Sequence, residues 1–119
     1  MSKRAQEGPT TRAVDDGALL LPPGLVLSVV SGPAKGQRLE LALGSRYRVG
    51  SAPDADLSLP DDTVSRSHLE LEVLHDAIEA RDLDSRNGSF FQGARFDSVR
   101  IGVGAKLRVG ESELVIRVG

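Results

Sequence analysis

The segment Val64-Ser65-Arg66-Ser67-His68-Leu69 places two hydroxyls, a guanidinium and an imidazole immediately ahead of an apolar alternation. An anion is held by several donors aimed at one point, and a hydroxyl beside an arginine supplies neutral and charge-assisted hydrogen bonds together. The same residues also make a capped turn, with Ser65 and Ser67 bonding local backbone, and both readings stand on the residues alone. Downstream, Asp82-Leu83-Asp84-Ser85-Arg86-Asn87-Gly88-Ser89 reads as a turn in which Asn87 tolerates a left-handed backbone and Gly88 permits close approach. The Asn87 amide can donate to one backbone group of a peptide and accept from another, reading main chain rather than side chains.

Ser65, Ser67, His68 and nearby aspartates are also the ingredients of a hydrolase triad. The sequence has no G-x-S-x-G elbow and no strand-turn-helix context to activate a serine, so catalysis is not expected. Cysteine is absent, which removes disulfides, thiolate zinc sites and cysteine nucleophiles and suits a reducing compartment. No metal or other cofactor is expected. The net charge of −2, with both signs interspersed, lacks the basic patch of a nucleic-acid or membrane binder. The longest apolar run, Ala18-Leu19-Leu20-Leu21, stops at Pro22-Pro23, far short of the ~20 residues that cross a bilayer. A cytoplasmic location is the expectation.

The elements that must position these loops are strands. With 119 residues the chain fits one domain. Residues 1–17 are polar, carry mixed charge and have no period that buries a face, so a disordered leader is expected there, with the folded domain over 18–119. Period-2 alternation then recurs at Leu25/Leu27/Val29, Leu39/Leu41/Leu43, Tyr47/Val49 and Leu69/Leu71/Val73. It continues through Ile78 to Leu83, Ser89 to Phe91, Val99/Ile101/Val103, Leu107/Val109 and Leu114/Ile116/Val118. Turn residues close each run, and helical spacing is nowhere sustained. Many short strands with frequent turns predict an all-β antiparallel sandwich or barrel whose loops gather at the ends of the sheets.

The order Gly50, Asp56-Leu57-Ser58-Leu59, Val64-Ser65-Arg66-Ser67-His68, Asp82 through Gly93 and Leu107-Arg108-Val109-Gly110 resembles the forkhead-associated (FHA) domain family. The resemblance covers residues from about 24 to 118. It implies a β-sandwich of about eleven short strands, without significant helix, that binds phosphothreonine on its loops. Carried over by position, Ser65 would bond the phosphate, Arg66 would flank it or touch peptide backbone, Arg86 would add a further phosphate contact and Asn87 would hold the peptide main chain. His68 would brace the loop, and Gly50 and Gly88 would set backbone geometry. The module would act as a monomer toward a phosphothreonine-bearing protein or peptide, with a phospho-independent interaction or oligomerisation domain as the alternative.

One departure bears on the ligand. Ser51 stands where the family usually has an arginine. A hydrogen bond to a charged group is worth roughly 1.5–3 kcal/mol, so its loss weakens phosphate binding by about tenfold to a hundredfold unless another cation substitutes. Arg66 and Arg86 are the best substitutes, whereas Arg46 and Arg48 alternate with Tyr47 and Val49 and belong on a solvated strand face. Ser89 and Gln92 depart mildly from the threonine and asparagine common in the family. Thr10 and Thr11 in the leader, with Val14 three residues after Thr11, are candidate phosphorylation sites that would make the leader an internal ligand. The form Gly50-Ser51, Thr63 to Arg66 and Asp84 to Gly88 is similar to N-terminal FHA domains of bacterial sigma-54-dependent regulators, whose ATPase and DNA-binding modules would belong to a longer protein.

Overall fold

Leu69, Leu71 and Val73 are at most 1% exposed while Glu70 and Glu72 between them stay partly in water, so the alternation in Leu69–Val73 is a strand with one buried face. The computed structural model describes residues 20–119. The leader expected over 1–17, with Thr10 and Thr11, lies outside the described residues.

The strands run in order β1 (Leu25–Ser31), β2 (Arg38–Leu41), β3 (Arg46–Gly50), β4 (Leu57–Ser58), β5 (Leu69–Val73), β6 (Ile78–Asp82), β7 (Ser89–Phe91), β8 (Ala94–Phe96), β9 (Ser98–Ile101), β10 (Lys106–Val109) and β11 (Ser112–Val118). Six form one sheet, β2-β1-β11-β10-β7-β8, and five the other, β4-β3-β5-β6-β9. No helix occurs among the described residues. The expected β-sandwich of about eleven strands is the observed architecture. All pairings are antiparallel except β3 with β4, where Val49 and Gly50 run alongside Leu57 and Ser58. That two-residue strand and β8 escape sequence reading because each is too short to show a period.

The inward faces of both sheets meet in one core. Leu27, Leu107, Leu114 and Ile116 come from the larger sheet, and Val49, Leu69, Leu71 and Ile78 from the smaller, all at most 1% exposed. Three apolar residues expected to continue strand alternation instead lie in water: Leu43 (67% exposed), Val103 (49%) and Val118 (57%). Leu43 and Val103 fall past the ends of β2 and β9, where the chain turns before the next inward position can be covered. Gln92 and Gly93 both take positive φ (53° and 78°) and make the two-residue turn between β7 and β8.

The register sets the placement of the loops. Val109 pairs with Ser89 and Val49 with Leu69, so the ends of β3 and β10 and the starts of β5 and β7 converge at one end of the sandwich. The long polar loops expected over 51–56, 60–67 and 84–89 leave from that end, the last of them giving its final residue, Ser89, to β7.

Candidate functional site

His68, at the start of β5's approach, is fully buried and holds two loops at once. Its Nδ1 accepts the Ser65 backbone N–H at 3.0 Å, and its Nε2 lies 2.8 Å from the Gly88 carbonyl. An Nδ1 that accepts cannot carry the proton, so the neutral ring is protonated on Nε2 and donates to Gly88. Both ring nitrogens are thus committed to backbone. His68 ties the loop bearing Ser65 to the loop bearing Gly88.

Gly50 makes the third loop part of the same body. A side chain there would collide with the Arg66 carbonyl, so only glycine lets β3 pass so close. The chain then pairs outward from this contact: the Ser51 N–H donates to the Ser65 carbonyl at 3.0 Å and the Ala52 N–H to the Arg66 carbonyl at 3.2 Å. The Ser65 hydroxyl accepts the Arg86 N–H at 3.1 Å, and the Asn87 amide donates to the Thr63 carbonyl at 2.9 Å. The capped-turn alternative for Ser65 is therefore replaced by a link between distant loops.

Two acidic side chains that sequence reading did not single out hold the outer parts of these loops. Asp61, 6% exposed, accepts the Thr63 N–H and hydroxyl at 2.9 and 2.6 Å and the Ser112 hydroxyl at 2.7 Å. The Thr63 hydroxyl in turn accepts the Glu111 N–H at 2.8 Å. Asp82 accepts the Ser85 N–H at 3.0 Å and the Ser85 and Ser89 hydroxyls at 2.6 and 2.7 Å, with the His68 ring 3.9 Å away. The Ser85 hydroxyl then accepts the Gly88 N–H at 3.0 Å. Burial pushes both carboxyls up, but the hydrogen bonds donated to them outweigh it and hold each below the usual aspartate value. The local signals were Asp61-x-Thr63 and Asp82-x-x-Ser85, patterns of side chains that bond nearby backbone. Ser112 and Ser89 carried no such signal.

One expectation about the backbone is corrected. Asn87 does not take the left-handed conformation. The positive φ values in this loop fall at Asp84 (56°) and Gly88 (88°), which bend the chain on either side and leave the Asn87 amide free to reach Thr63. Gly88 also approaches Arg95 so closely that a Cβ would come within 2.8 Å of its Nε.

These links enclose an open groove of about 420 Å³. Ser51, Ser65, Arg66 and Arg86 line it together with Pro60, Asp61, Asp62 and Val64. Asn87 does not line it and stands beside it. Arg66 and Arg86 are exposed, and among the described residues neither guanidinium meets a carboxylate at ion-pair distance. Arg46 and Arg48 are engaged elsewhere: Arg46 lies 3.5 Å from Glu72, and Arg48 lies 3.0 Å from Asp54 and donates to the Asp54 carbonyl. Ser65 retains its hydroxyl hydrogen, since its recorded bond is one it accepts. The groove thus brings a hydroxyl and two arginines together with Asp61 and Asp62, and neither guanidinium is at ion-pair distance from a carboxylate among the described residues, so donors for an anion such as a phosphate monoester are present.

No helix among the described residues is long and apolar enough to cross a membrane. The family model for the cytoplasmic domain of an inner membrane component of the T3SS matches residues 28–118. The glycogen accumulation regulator GarA of Mycobacterium tuberculosis is 36% identical over 118 residues, covering 97% of this chain and 70% of that protein. The oxoglutarate dehydrogenase inhibitor of Corynebacterium glutamicum is 30% identical over 118 residues, 98% of this chain and 82% of that one. A solved FHA domain, studied for phosphothreonine-dependent interactions, superposes with a TM-score of 0.70 at 29% identity, covering 80% of this chain and 96% of its own.

Proposed function

Because the chain belongs to the forkhead-associated domain family, and matches the T3SS cytoplasmic-domain model over most of its length, we propose that its loops dock a phosphothreonine-bearing partner. The observation that carries this reading is that Ser65, Arg66 and Arg86 line one groove. The Ser65 hydroxyl, oriented by the Arg86 N–H, donates to one phosphate oxygen, and the two guanidiniums supply the charge that an arginine at position 51 would otherwise bring. A threonine phosphate carries about −1.5 to −2 charge near neutrality, so two cations are matched to it. Asn87, anchored on Thr63, keeps its amide oxygen and a second N–H for the peptide main chain.

The module acts by stoichiometric binding. Two of its relatives are a glycogen accumulation regulator and an oxoglutarate dehydrogenase inhibitor. Their names support a setting in which this domain regulates a metabolic enzyme through phosphorylation-dependent docking. The sigma-54 setting rests on the form of three loops alone, and a phosphorylated leader, at Thr10 or Thr11, would compete with an outside partner for the same groove.

Calorimetric titration with a phosphothreonine peptide and its unphosphorylated twin tests the reading. Binding of the first and not the second is the expected result. Equal binding of both, unchanged by Ser51→Arg, would instead establish a phospho-independent interaction domain.

A further inference from the structure

The two outer faces of the sandwich carry their charge differently. On the five-stranded sheet, cross-strand register sets arginines opposite acids: Arg46 beside Glu72 beside Glu79 beside Arg100, and Arg48 beside Glu70 beside Arg81. Arg46 pairs with Glu72, Arg48 with Asp54, Arg81 with Glu70 and Arg100 with Asp76, at 2.6 to 3.5 Å. That face is neutralised from within.

The outer face of the six-stranded sheet is not. Beside Val26, Ser28 and Val115, its outward charged and aromatic positions are Arg38 and Glu40 on β2, Arg117 and Glu113 on β11, Lys106 and Arg108 on β10, Phe90 on β7 and Arg95 on β8. Among the described residues the one ion pair recorded on this face is a loose 4.0 Å contact of Lys106 with Glu113. Arg108 lies over the Phe90 ring at 4.2 Å and donates to the Gly110 carbonyl. At the end of this face, between the β7–β8 turn and the β9–β10 loop, lies a groove of about 660 Å³ lined by Phe90, Gly102, Val103, Lys106, Arg108 and Glu113, among others. Register puts it at the opposite end of β7 and β10 from the phosphate groove, because Ser89 and Val109 point to one end and Phe91 and Leu107 to the other.

We infer that this distal groove is a second docking site, taking an extended acidic segment of a partner protein that carries an aliphatic side chain. The apolar anchor sits against Val103, half in water, and the Phe90 ring. Carboxylates of the segment meet Lys106 and Arg108, with Arg38 and Arg117 extending the cationic surface along the sheet. The chain's own leader does not fit this chemistry, since Lys3, Arg4 and Arg12 balance Glu7, Asp15 and Asp16. A nucleic acid or an anionic bilayer presents closely repeated negative charge, and Glu113 in the groove and Glu40 on the same face oppose that pattern. Spaced carboxylates around one apolar residue match it. Both ends of the domain could then hold one partner, a phosphothreonine at the loops and an unphosphorylated acidic segment at the distal groove, so that each contact raises the effective concentration of the other.

The test is titration of the isotope-labelled full chain with a short unphosphorylated peptide of aspartates and glutamates around a single leucine. Amide shifts are expected at Phe90, Val103, Lys106 and Arg108, with affinity weakened by about tenfold or more in K106E/R108E and in Val103→Asp. Both variants change exposed positions, and an otherwise superposable spectrum confirms that each is folded. Absence of shifts at those residues, shifts confined to Ser65, Arg66 and Arg86, or equal affinity in both variants would overturn the inference. So would groove shifts elicited only by duplex DNA or phosphatidylserine vesicles, or a concentration-dependent dimer that K106E/R108E abolishes.

Discussion

The Ser65 hydroxyl accepts the Arg86 backbone N–H at 3.1 Å across 21 residues of sequence, so the side chain that would meet a phosphate also fixes the neighbouring loop. On the proposed function, binding and loop order are coupled at this residue. Ser65→Ala is expected to weaken phosphothreonine-peptide binding by about tenfold and to lower unfolding stability by about 1 kcal/mol, because the Arg86 N–H loses its partner. Calorimetry and urea denaturation on the same variant check the two effects. An affinity loss with no change in stability would show that the loop link carries no weight.

The two cations of the groove are expected to act in place of an arginine at position 51. Arg86→Ala and Arg66→Ala should each weaken the phosphopeptide by about tenfold to a hundredfold, and Ser51→Arg should strengthen it by about tenfold. Repeating the titrations at high salt should shrink all three differences, since the contacts are exposed and screened. Loss of affinity on adding Ser51→Arg would mean that the groove is already filled.

His68 bonds Ser65 with one nitrogen and Gly88 with the other from a fully buried position. His68→Ala leaves an N–H and a carbonyl unpaired beside a new cavity, and a destabilisation of roughly 3 kcal/mol is expected. Denaturant unfolding checks the magnitude. Hydrogen exchange should show the amides of Ser65 and Gly88 losing protection before those of Leu71 or Ile116.

Acid should loosen the loop end first. The folded pKa values of Asp61 and Asp82 lie below the ordinary value of 3.8. A depressed carboxylate contributes stability that is fully present above its unfolded value and is lost as pH falls through the folded one. The melting temperature is therefore expected to hold from neutrality to about pH 5 and to fall below about pH 4. Asp82→Asn and Asp61→Asn should be less stable at neutral pH and should flatten that acid limb. A variant that keeps the steep limb would assign the acid sensitivity to other carboxylates.

Gly50→Ala sets a methyl group against the Arg66 carbonyl, with backbone on both sides and nothing flexible to give way. A loss of about 2 kcal/mol or more is expected, together with weakened phosphopeptide binding, because the relief of the clash displaces the loop bearing Ser65 and Arg66. Thermal unfolding and titration of the variant check both. Gly93→Ala, at a turn where a Cβ would meet no atom within 4 Å, should cost less and leave binding unchanged.

How much was legible in the sequence divides along the range of the interactions. The strand alternation at Leu69/Leu71/Val73 and the turn at Gln92-Gly93 are local, since side-chain period and backbone preference are properties of adjacent residues. The ordered loop motifs pointed to the family and brought Ser51, Ser65, Arg66 and Arg86 forward, and the structure gathers those four around one groove. Where alternation met the end of a strand, at Leu43 and Val103, the same period misled, because nothing local says where the partner strand stops.

What only the tertiary structure decided is which donors are already spent. Ser112 reaches Asp61 across 51 residues, Asn87 reaches Thr63 across 24, and Arg48 is drawn to Asp54 while Arg66 and Arg86 are left facing the groove. A hydrogen bond is satisfied by whatever group lies within about 3 Å, and that neighbour is chosen by how strands far apart in sequence come together. Residue type and order therefore offered an anion-binding reading of these loops, and the packing of the two sheets determined which of those side chains face the groove.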